Sequence, residues 1–173
     1  MSSSSWKYIC FDLEANGFKP TEIFCIGVAD LLTGEKIMLP PDAIAEGCVL
    51  LSEAEMLVGH YIRGYDCPVI ERLSGGVVEF DRGKIIDTLD MSKTLTNNQK
   101  HSLEYWGEIL GLPKLPSPLF EKYTPQMLTY CERDLDLTVR LFDHLVELYL
   151  KEDRKKQFRN SDHLEIFFET LIS

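Results

Sequence analysis

The chain has 173 residues, 45% of them hydrophobic, which is the size and composition of one ordinary folded domain. Its formal net charge of −10 argues against non-specific binding to nucleic acid through a broad basic surface. The same charge still allows a local site at which metal ions offset the acids.

Cysteine content and hydropathy indicate the cellular compartment. The five cysteines are odd in number and form no CxxC pair, so we expect buried free thiols in a reducing compartment, not disulfides or a zinc site. No segment approaches the roughly 20 apolar residues of a membrane span, and the first residues lack the apolar core of a signal peptide. We therefore predict a cytoplasmic protein without a membrane partner.

The first half of the chain alternates short apolar runs with turn signals, which is typical of strands. Residues 31–34 supply a turn between the second and third runs, so these two are predicted to form a hairpin. The predicted strands are 6–13, 22–30, 35–39, 57–61 and 84–86, and the predicted helices among them are 40–56 and 66–73. Asp87-Thr88 is interpreted as a strand end followed by a helix cap.

The second half favours helices. Residues 102–110 are predicted to be helical with Gly111 as the stop and Trp106 in the core, and 112–120 hold three prolines and are predicted to be a loop. A long helix is expected from Thr124, as N-cap, to about residue 150. The fold class is α/β, one sheet flanked by helices, in a single domain over 1–173 with a core of 6–150 and a helical tail of 157–173.

Carboxylates stand at the edges of several of these elements. Asp12 and Glu14 end the first strand and, because strand side chains alternate, they point to the same side, where their charges repel. Asp66 follows the fourth strand, and Asp134 shares a helix face with Tyr130 four residues earlier. Singly, these acids could be a solvated loop start, an N-cap and a surface charge.

Taken together, the acids predict one site. Buried carboxylates that repel one another need cations, and oxygen-rich sites favour Mg²⁺ or Mn²⁺. Two such ions roughly 4 Å apart can activate a water and stabilise a leaving alkoxide in phosphodiester hydrolysis. Two aspartates of the long helix, Asp134 and Asp136, are candidates for the last carboxylate of this site. Asp134 is favoured, because it lies only about 40° from Tyr130 around the helix.

Three ordered motifs carry a resemblance to a known family. They are Phe11-Asp12-Leu13-Glu14, the segment 58–66 with the sequence VGHYIRGYD, and Tyr130-Cys131-Glu132-Arg133-Asp134. The chain resembles the DEDD superfamily of 3′–5′ exonucleases in its tyrosine subgroup. Segments 86–89 and 101–107 are similar to the proofreading domain of phage family A DNA polymerases, and the resemblance covers roughly residues 6–150.

The resemblance implies a ribonuclease-H-like mixed β-sheet flanked by helices and two Mg²⁺ or Mn²⁺ ions. It assigns the ions to Asp12, Glu14, Asp66 and Asp134. Tyr130 would orient the attacking water, since a phenol with an ordinary pKa near 10 is a poor base at neutral pH. The implied substrate contacts are Phe18, His60 and Tyr61, the last at a position where family members often carry asparagine.

The implied activity is removal of nucleotides from single-stranded or frayed 3′ DNA ends as nucleoside 5′-monophosphates. A polymerase or replication protein is a possible partner, and the host cytoplasm is the expected location if a phage encodes the chain. Two alternatives stay open at this point. One is a 3′–5′ exoribonuclease, and the other is a catalytically silent binding module with the exonuclease fold.

Overall fold

The computed structural model describes residues 6–152, so the predicted tail at 157–173 lies outside the described part. Five strands form one sheet in the spatial order β3-β2-β1-β4-β5. β1 pairs antiparallel with β2 and parallel with β4, which makes the sheet mixed, as predicted. The strands are β1 Tyr8–Ala15, β2 Ile23–Asp30, β3 Lys36–Leu39, β4 Met56–Gly59 and β5 Ile85–Asp87.

Helices cover both faces of this sheet. α1 and α2 pack on one face, while α3, α4 and α5 pack on the other. No helix within residues 6–152 is both long and apolar enough to cross a bilayer. The helices are α1 Ile44–Glu53, α2 Asp66–Leu73, α3 Thr88–Leu95, α4 Leu103–Leu110 and α5 Gln126–Glu152, and short 3₁₀ turns occupy Pro41–Ala43 and Arg82–Lys84.

The alternation of side chains along β1 separates two apolar cores. Ile9, Phe11 and Leu13 face α1 and α2, whereas Tyr8 and Cys10 face the layer of α3, α4 and α5. Asp12 and Glu14 continue the second series, so the strand directs both carboxylates towards α5.

The main differences from the prediction are two misplaced element ends and one helix that was not predicted. The helix expected to run through Met56 ends at Glu53, because Ala54 adopts an extended backbone with ψ of 141°. Met56 instead begins β4, where parallel pairing beside Tyr8 buries its side chain. The fourth strand ends at Gly59 and not at residue 61, and α3, which follows the predicted cap at Asp87, was not among the predicted helices.

The structure shows some of the predicted helix caps and not others. Ser102 caps α4, and Gly111 ends it in the left-handed conformation with φ of 69°. The Asp87 carboxylate accepts the backbone N–H of Leu89 and so caps α3. Thr124 was predicted to cap α5 through its side chain, but its hydroxyl is buried without a hydrogen-bond partner, and the N–H of Met127 bonds to its backbone carbonyl instead.

The prediction of a core tryptophan is confirmed, and the burial predicted for the cysteines holds for four of the five. All five cysteines are free, and four of them are buried. Trp106 is 2% exposed and donates its indole N–H to Ser92 Oγ at 2.9 Å, so it belongs to the core.

Candidate functional site

The two carboxylates of β1 lie where α5 comes close to the sheet. Gly27 of β2 stands opposite Asp12, and a side chain at Gly27 would meet Cys131 Sγ of α5 at 3.2 Å. The absence of that side chain lets Cys131 sit 3.6 Å from Asp12 Oδ2. Oxygen atoms of Asp12 and Glu14 and the sulfur of Cys131 all lie within 4.8 Å of one another.

The third carboxylate fills a gap in the sheet. β1 and β4 pair only as far as Cys10 and Val58, so the N–H groups further along this edge of β1 have no strand partner. Asp66, the first residue of α2, accepts the N–H of Leu13 through Oδ1 at 3.2 Å. This bond holds the Asp66 carboxyl group beside the end of β1.

α5 supplies the fourth carboxylate and the tyrosine. Asp134 is 4% exposed and lies in the same cleft as Tyr130, Asp12, Glu14 and Asp66. Its Oδ1 atom is buried and has no hydrogen-bond partner. Asp136 points elsewhere, since its carboxylate pairs with Lys36 at 2.7 Å and is 40% exposed. The structure therefore places Asp134, and not Asp136, among the other acids.

Burial and mutual repulsion hold these acids in an unfavourable electrostatic setting. Burial, followed by the charges of Glu14, Asp66 and Asp134, raises the pKa of Asp12 well above its usual range. Burial chiefly raises the pKa of Glu14 to about 9 and that of Asp66 to about 7. The pKa of Asp134 is also raised by burial, although Lys114 opposes the shift.

The donor set fits a hard divalent cation. Four carboxylates supply oxygen ligands, and the unpartnered Oδ1 of Asp134 is a coordination position that no protein group takes. Mg²⁺ and Mn²⁺ prefer such oxygen donors. Cations at this site would also relieve the repulsion that raises the carboxyl pKa values.

Lys114 is the site residue that the sequence analysis missed. Its Nζ lies 2.5 Å from Asp134 Oδ2 and 5.1 Å from the centre of the Tyr130 ring. Burial opposes its charge, but attraction to Asp134 and hydrogen bonds to Asp134 and Tyr130 raise its pKa above the usual value. A lysine in a proline-rich loop carries no sequence signal that would have identified it.

The turn after β4 presents two of the predicted substrate contacts. The Asp87 carboxylate holds this turn in place through two hydrogen bonds. Its Oδ1 accepts the N–H of Tyr61 at 2.8 Å, and its Oδ2 accepts the N–H of Arg63 at 3.0 Å. Tyr61 adopts a positive φ of 64° and is half-exposed at the cleft. His60 also lines the cleft, and its Nδ1 lies 2.8 Å from Thr88 Oγ1.

The protonation state of His60 follows from its burial and from a nearby charge. The Thr88 hydroxyl lies 2.8 Å from Nδ1 of His60 and 3.2 Å from the carbonyl oxygen of Gly59. Burial, followed by the charge of Lys114, lowers the pKa of His60 to about 4. His60 is therefore neutral at pH 7.

An aromatic cleft of about 390 Å³ adjoins the acids. Phe18, Tyr61, Tyr65 and Phe120 line it, together with Glu14 from the acidic site. The Tyr65 hydroxyl donates to the carbonyl of Gly17 at 2.5 Å and so ties the loop after β1 to the start of α2. Phe18 is fully exposed in that loop. All three predicted substrate contacts thus lie beside the carboxylates.

Comparisons with known proteins bear on the fold. No protein-family model matches the sequence, and no curated protein matches it significantly. Similar solved structures include NrnC of Brucella melitensis with bound Mg²⁺, with a TM-score of 0.68 and 19% identity over 89% of this chain and 80% of that one. The Nibbler EXO domain of Aedes aegypti has a TM-score of 0.65 at 12% identity, covering 92% of this chain and 84% of that domain.

A third similar structure is a family B DNA polymerase from Pyrobaculum calidifontis. Its TM-score is 0.61 at 13% identity, and the match covers 80% of this chain but 24% of the polymerase. At these identities the likeness concerns the fold, which is the ribonuclease-H-like exonuclease fold that the sequence resemblance implied. The tyrosine subgroup and the likeness to phage proofreading domains stay predictions.

Proposed function

We propose that the protein is a metal-dependent 3′–5′ exonuclease that releases nucleoside 5′-monophosphates from single-stranded or frayed DNA ends. One observation carries the proposal, namely that Asp12, Glu14, Asp66 and Asp134 line a single cleft with Tyr130. Carboxylates that converge in this way, with raised pKa values, suit cation binding better than a structural role.

The four carboxylates would hold two Mg²⁺ or Mn²⁺ ions. Their oxygen donors suit either ion, and NrnC, a protein of the same fold, is solved with Mg²⁺. When bound, such ions supply an activated water and stabilise negative charge on the leaving oxygen. The chain's own task is to fix the ligand oxygens, which the bond from Leu13 to Asp66 and the burial of Asp134 accomplish.

Tyr130 would position the attacking water. Burial chiefly raises the pKa of its phenol, so the hydroxyl stays protonated at neutral pH and cannot act as a free base. A protonated hydroxyl beside Asp134 can donate one hydrogen bond while it accepts another, and so it can orient a water molecule. Asp134 and Tyr130 therefore act on the same part of the cleft.

The aromatic cleft accounts for a preference for unpaired ends. Phe18 and Tyr61 offer exposed rings on which a base can stack once it is free of its complementary strand. With a net charge of −10, the protein has little general attraction for a duplex. We therefore infer that the protein binds the terminal nucleotides and leaves the rest of the strand unbound.

DNA is the proposed substrate because the motifs resemble those of proofreading domains, and a DNA polymerase is among the structures of similar fold. Proofreading beside a DNA polymerase is the role that this substrate suggests. A ribose 2′-OH could be accepted at the same cleft, so matched RNA belongs in the test.

The test uses 5′-labelled single strands of DNA and RNA with identical sequence. With Mn²⁺ we expect a ladder of products shortened from the 3′ end of DNA, and none in excess chelator. Undiminished cleavage in chelator would contradict the metal-dependent proposal. Faster shortening of RNA would favour the exoribonuclease, and binding without shortening would favour the silent binding module.

A further inference from the structure

The loop that carries Lys114 is anchored on both sides of its first residues. The N–H of Leu112 bonds to the carbonyl of Gly107 at 2.9 Å, and Arg133 Nη1 donates to the carbonyl of Pro113 at 2.8 Å. A side chain at Gly107 would meet the Leu112 carbonyl at 3.0 Å, so a larger residue would push the loop a few tenths of an ångström away from α4. The backbone beside Lys114 is therefore held in place.

From this backbone the lysine reaches into the acidic cleft. Lys114 is the single cationic side chain among the residues that line the cleft within the described part of the chain. Its ammonium occupies Oδ2 of Asp134, while Oδ1 of the same buried carboxylate has no partner. One oxygen of Asp134 is thus already neutralised, and the other is left for a different cation.

A divalent ion on Oδ1 of Asp134 and this ammonium on Oδ2 would lie only a few ångströms apart. Like charges a few ångströms apart repel strongly in a partly desolvated site. The lysine side chain has four rotatable methylene groups, so its ammonium can move although its backbone is fixed. An ammonium that leaves Asp134 would find its next negative charge on a phosphate of a strand bound in the cleft.

We propose that Lys114 is a displaceable counter-ion of the acidic site that becomes a phosphate-binding residue when metal is bound. In the metal-free protein it neutralises Asp134, and with metal bound its ammonium contacts a phosphate oxygen of the substrate. The phosphate contact rests on the proposed function, whereas the exchange with metal does not.

The exchange is tested by calorimetric titration of Mn²⁺ into the substrate-free protein. Lys114→Met removes the competing charge at nearly constant shape, so Mn²⁺ should bind about tenfold more tightly than in the parent protein. The melting temperature of the metal-free variant should fall, and the rise that Mn²⁺ produces should grow. Unchanged or weaker Mn²⁺ binding in this variant overturns the proposal.

Lys36→Met is the matched control. Lys36, at the start of β3, also pairs with carboxylates of α5, Glu132 and Asp136, so the variant removes one positive charge from beside the same helix. Lys36 lies outside the residues that line the cleft. Loss of the Lys36 charge should leave the Mn²⁺ affinity unchanged. If Lys36→Met tightened Mn²⁺ binding as much as Lys114→Met does, the change in net charge alone would explain the effect, and the proposal would be overturned.

The phosphate contact is tested by binding of thymidine 5′-monophosphate at saturating Mn²⁺. Lys114→Met should weaken this binding about tenfold, and Lys114→Arg should restore most of it. Equal affinity in Lys114→Met and the parent overturns the contact. Because neither titration needs turnover, a parent protein that shortens neither DNA nor RNA would refute the exonuclease function alone.

Discussion

Two lysine–carboxylate pairs on α5 differ chiefly in burial. Lys114 pairs with Asp134 at 2.5 Å, and Lys36 pairs with Asp136 at 2.7 Å. The side chain of Asp134 is 5% exposed, whereas that of Asp136 is 40% exposed. Residues two apart on a helix point in different directions, so one pair lies in the cleft and the other at the surface.

The difference in burial is the reason why we expect the pair in the cleft, and not the pair at the surface, to take part in the proposed chemistry. Water and salt screen the exposed pair, so its charges are nearly as well solvated apart as together. The buried pair sits among three further carboxylates, where desolvation amplifies every charge. The carboxylates that we propose to bind metal are therefore distinguished from the others by their surroundings and not by residue type.

The sharpest test of the comparison exchanges each aspartate for its neutral isostere. Asp134→Asn should lower the rate of strand shortening at least roughly 10³-fold, because a charged metal ligand is lost. Asp136→Asn should leave the rate nearly unchanged. Single-turnover assays with saturating Mn²⁺ measure the rates of both variants. An inactive Asp136→Asn variant together with an active Asp134→Asn variant would show that Asp136, and not Asp134, is the metal ligand.

A smaller loss of rate is expected when Tyr130, the neighbour of Asp134 in the cleft, loses its hydroxyl. Tyr130→Phe should slow the reaction on the order of 10²-fold, since water can still reach the metal but is no longer oriented. Tyr105→Phe on α4, outside the cleft, removes a hydroxyl elsewhere and serves as the control. Equal rates for Tyr130→Phe and the parent protein would remove Tyr130 from the proposed mechanism.

The buried acids should also make the metal-free fold sensitive to alkali. A carboxyl group whose pKa is raised on folding stabilises the fold while protonated, and this contribution is lost as pH rises through the folded pKa. With Glu14 at about 9 and Asp66 at about 7, the loss spans the range from about pH 4 to about pH 9. We expect the melting temperature to fall at least about 3 °C, or ~1 kcal/mol, between about pH 6 and pH 9.

Calorimetric or fluorescence melting in chelator measures this fall. Glu14→Gln should reduce it, whereas Glu132→Gln, on the exposed side of α5, should not. Saturating Mg²⁺ should weaken or reverse the trend, because the ion binds the ionised acids. A metal-free protein that grows more stable towards alkaline pH would show that these carboxyl groups are not held in repulsion.

The smallest effect is expected at the exposed pair. Lys36→Met should change the free energy of unfolding by ~0.5 kcal/mol or less, because exposed ion pairs contribute little. Roughly 1 M salt should erase even this difference, since the Debye length then falls to about 3 Å. Urea denaturation at low and high salt measures it, and a loss of several kcal/mol would mean that the surface pair is structural.

Local patterns allowed most of the architecture to be predicted. Strand alternation placed Asp12 and Glu14 on one side of β1, and the helical repeat placed Tyr130 beside Asp134. The same reasoning failed at Met56, where apolar periodicity could not distinguish a helix end from the start of a buried strand. The site roles, the cytoplasmic location and the tail at 157–173 stay predictions.

By itself the sequence determined which residues share a face, because the backbone geometry of a strand or helix sets that spacing locally. Only the tertiary structure decided that Lys114 meets Asp134, that Asp66 caps the free edge of β1, and that Gly27 admits α5. These contacts join elements distant in the chain. They depend on how whole surfaces pack, and no short-range pattern encodes that packing.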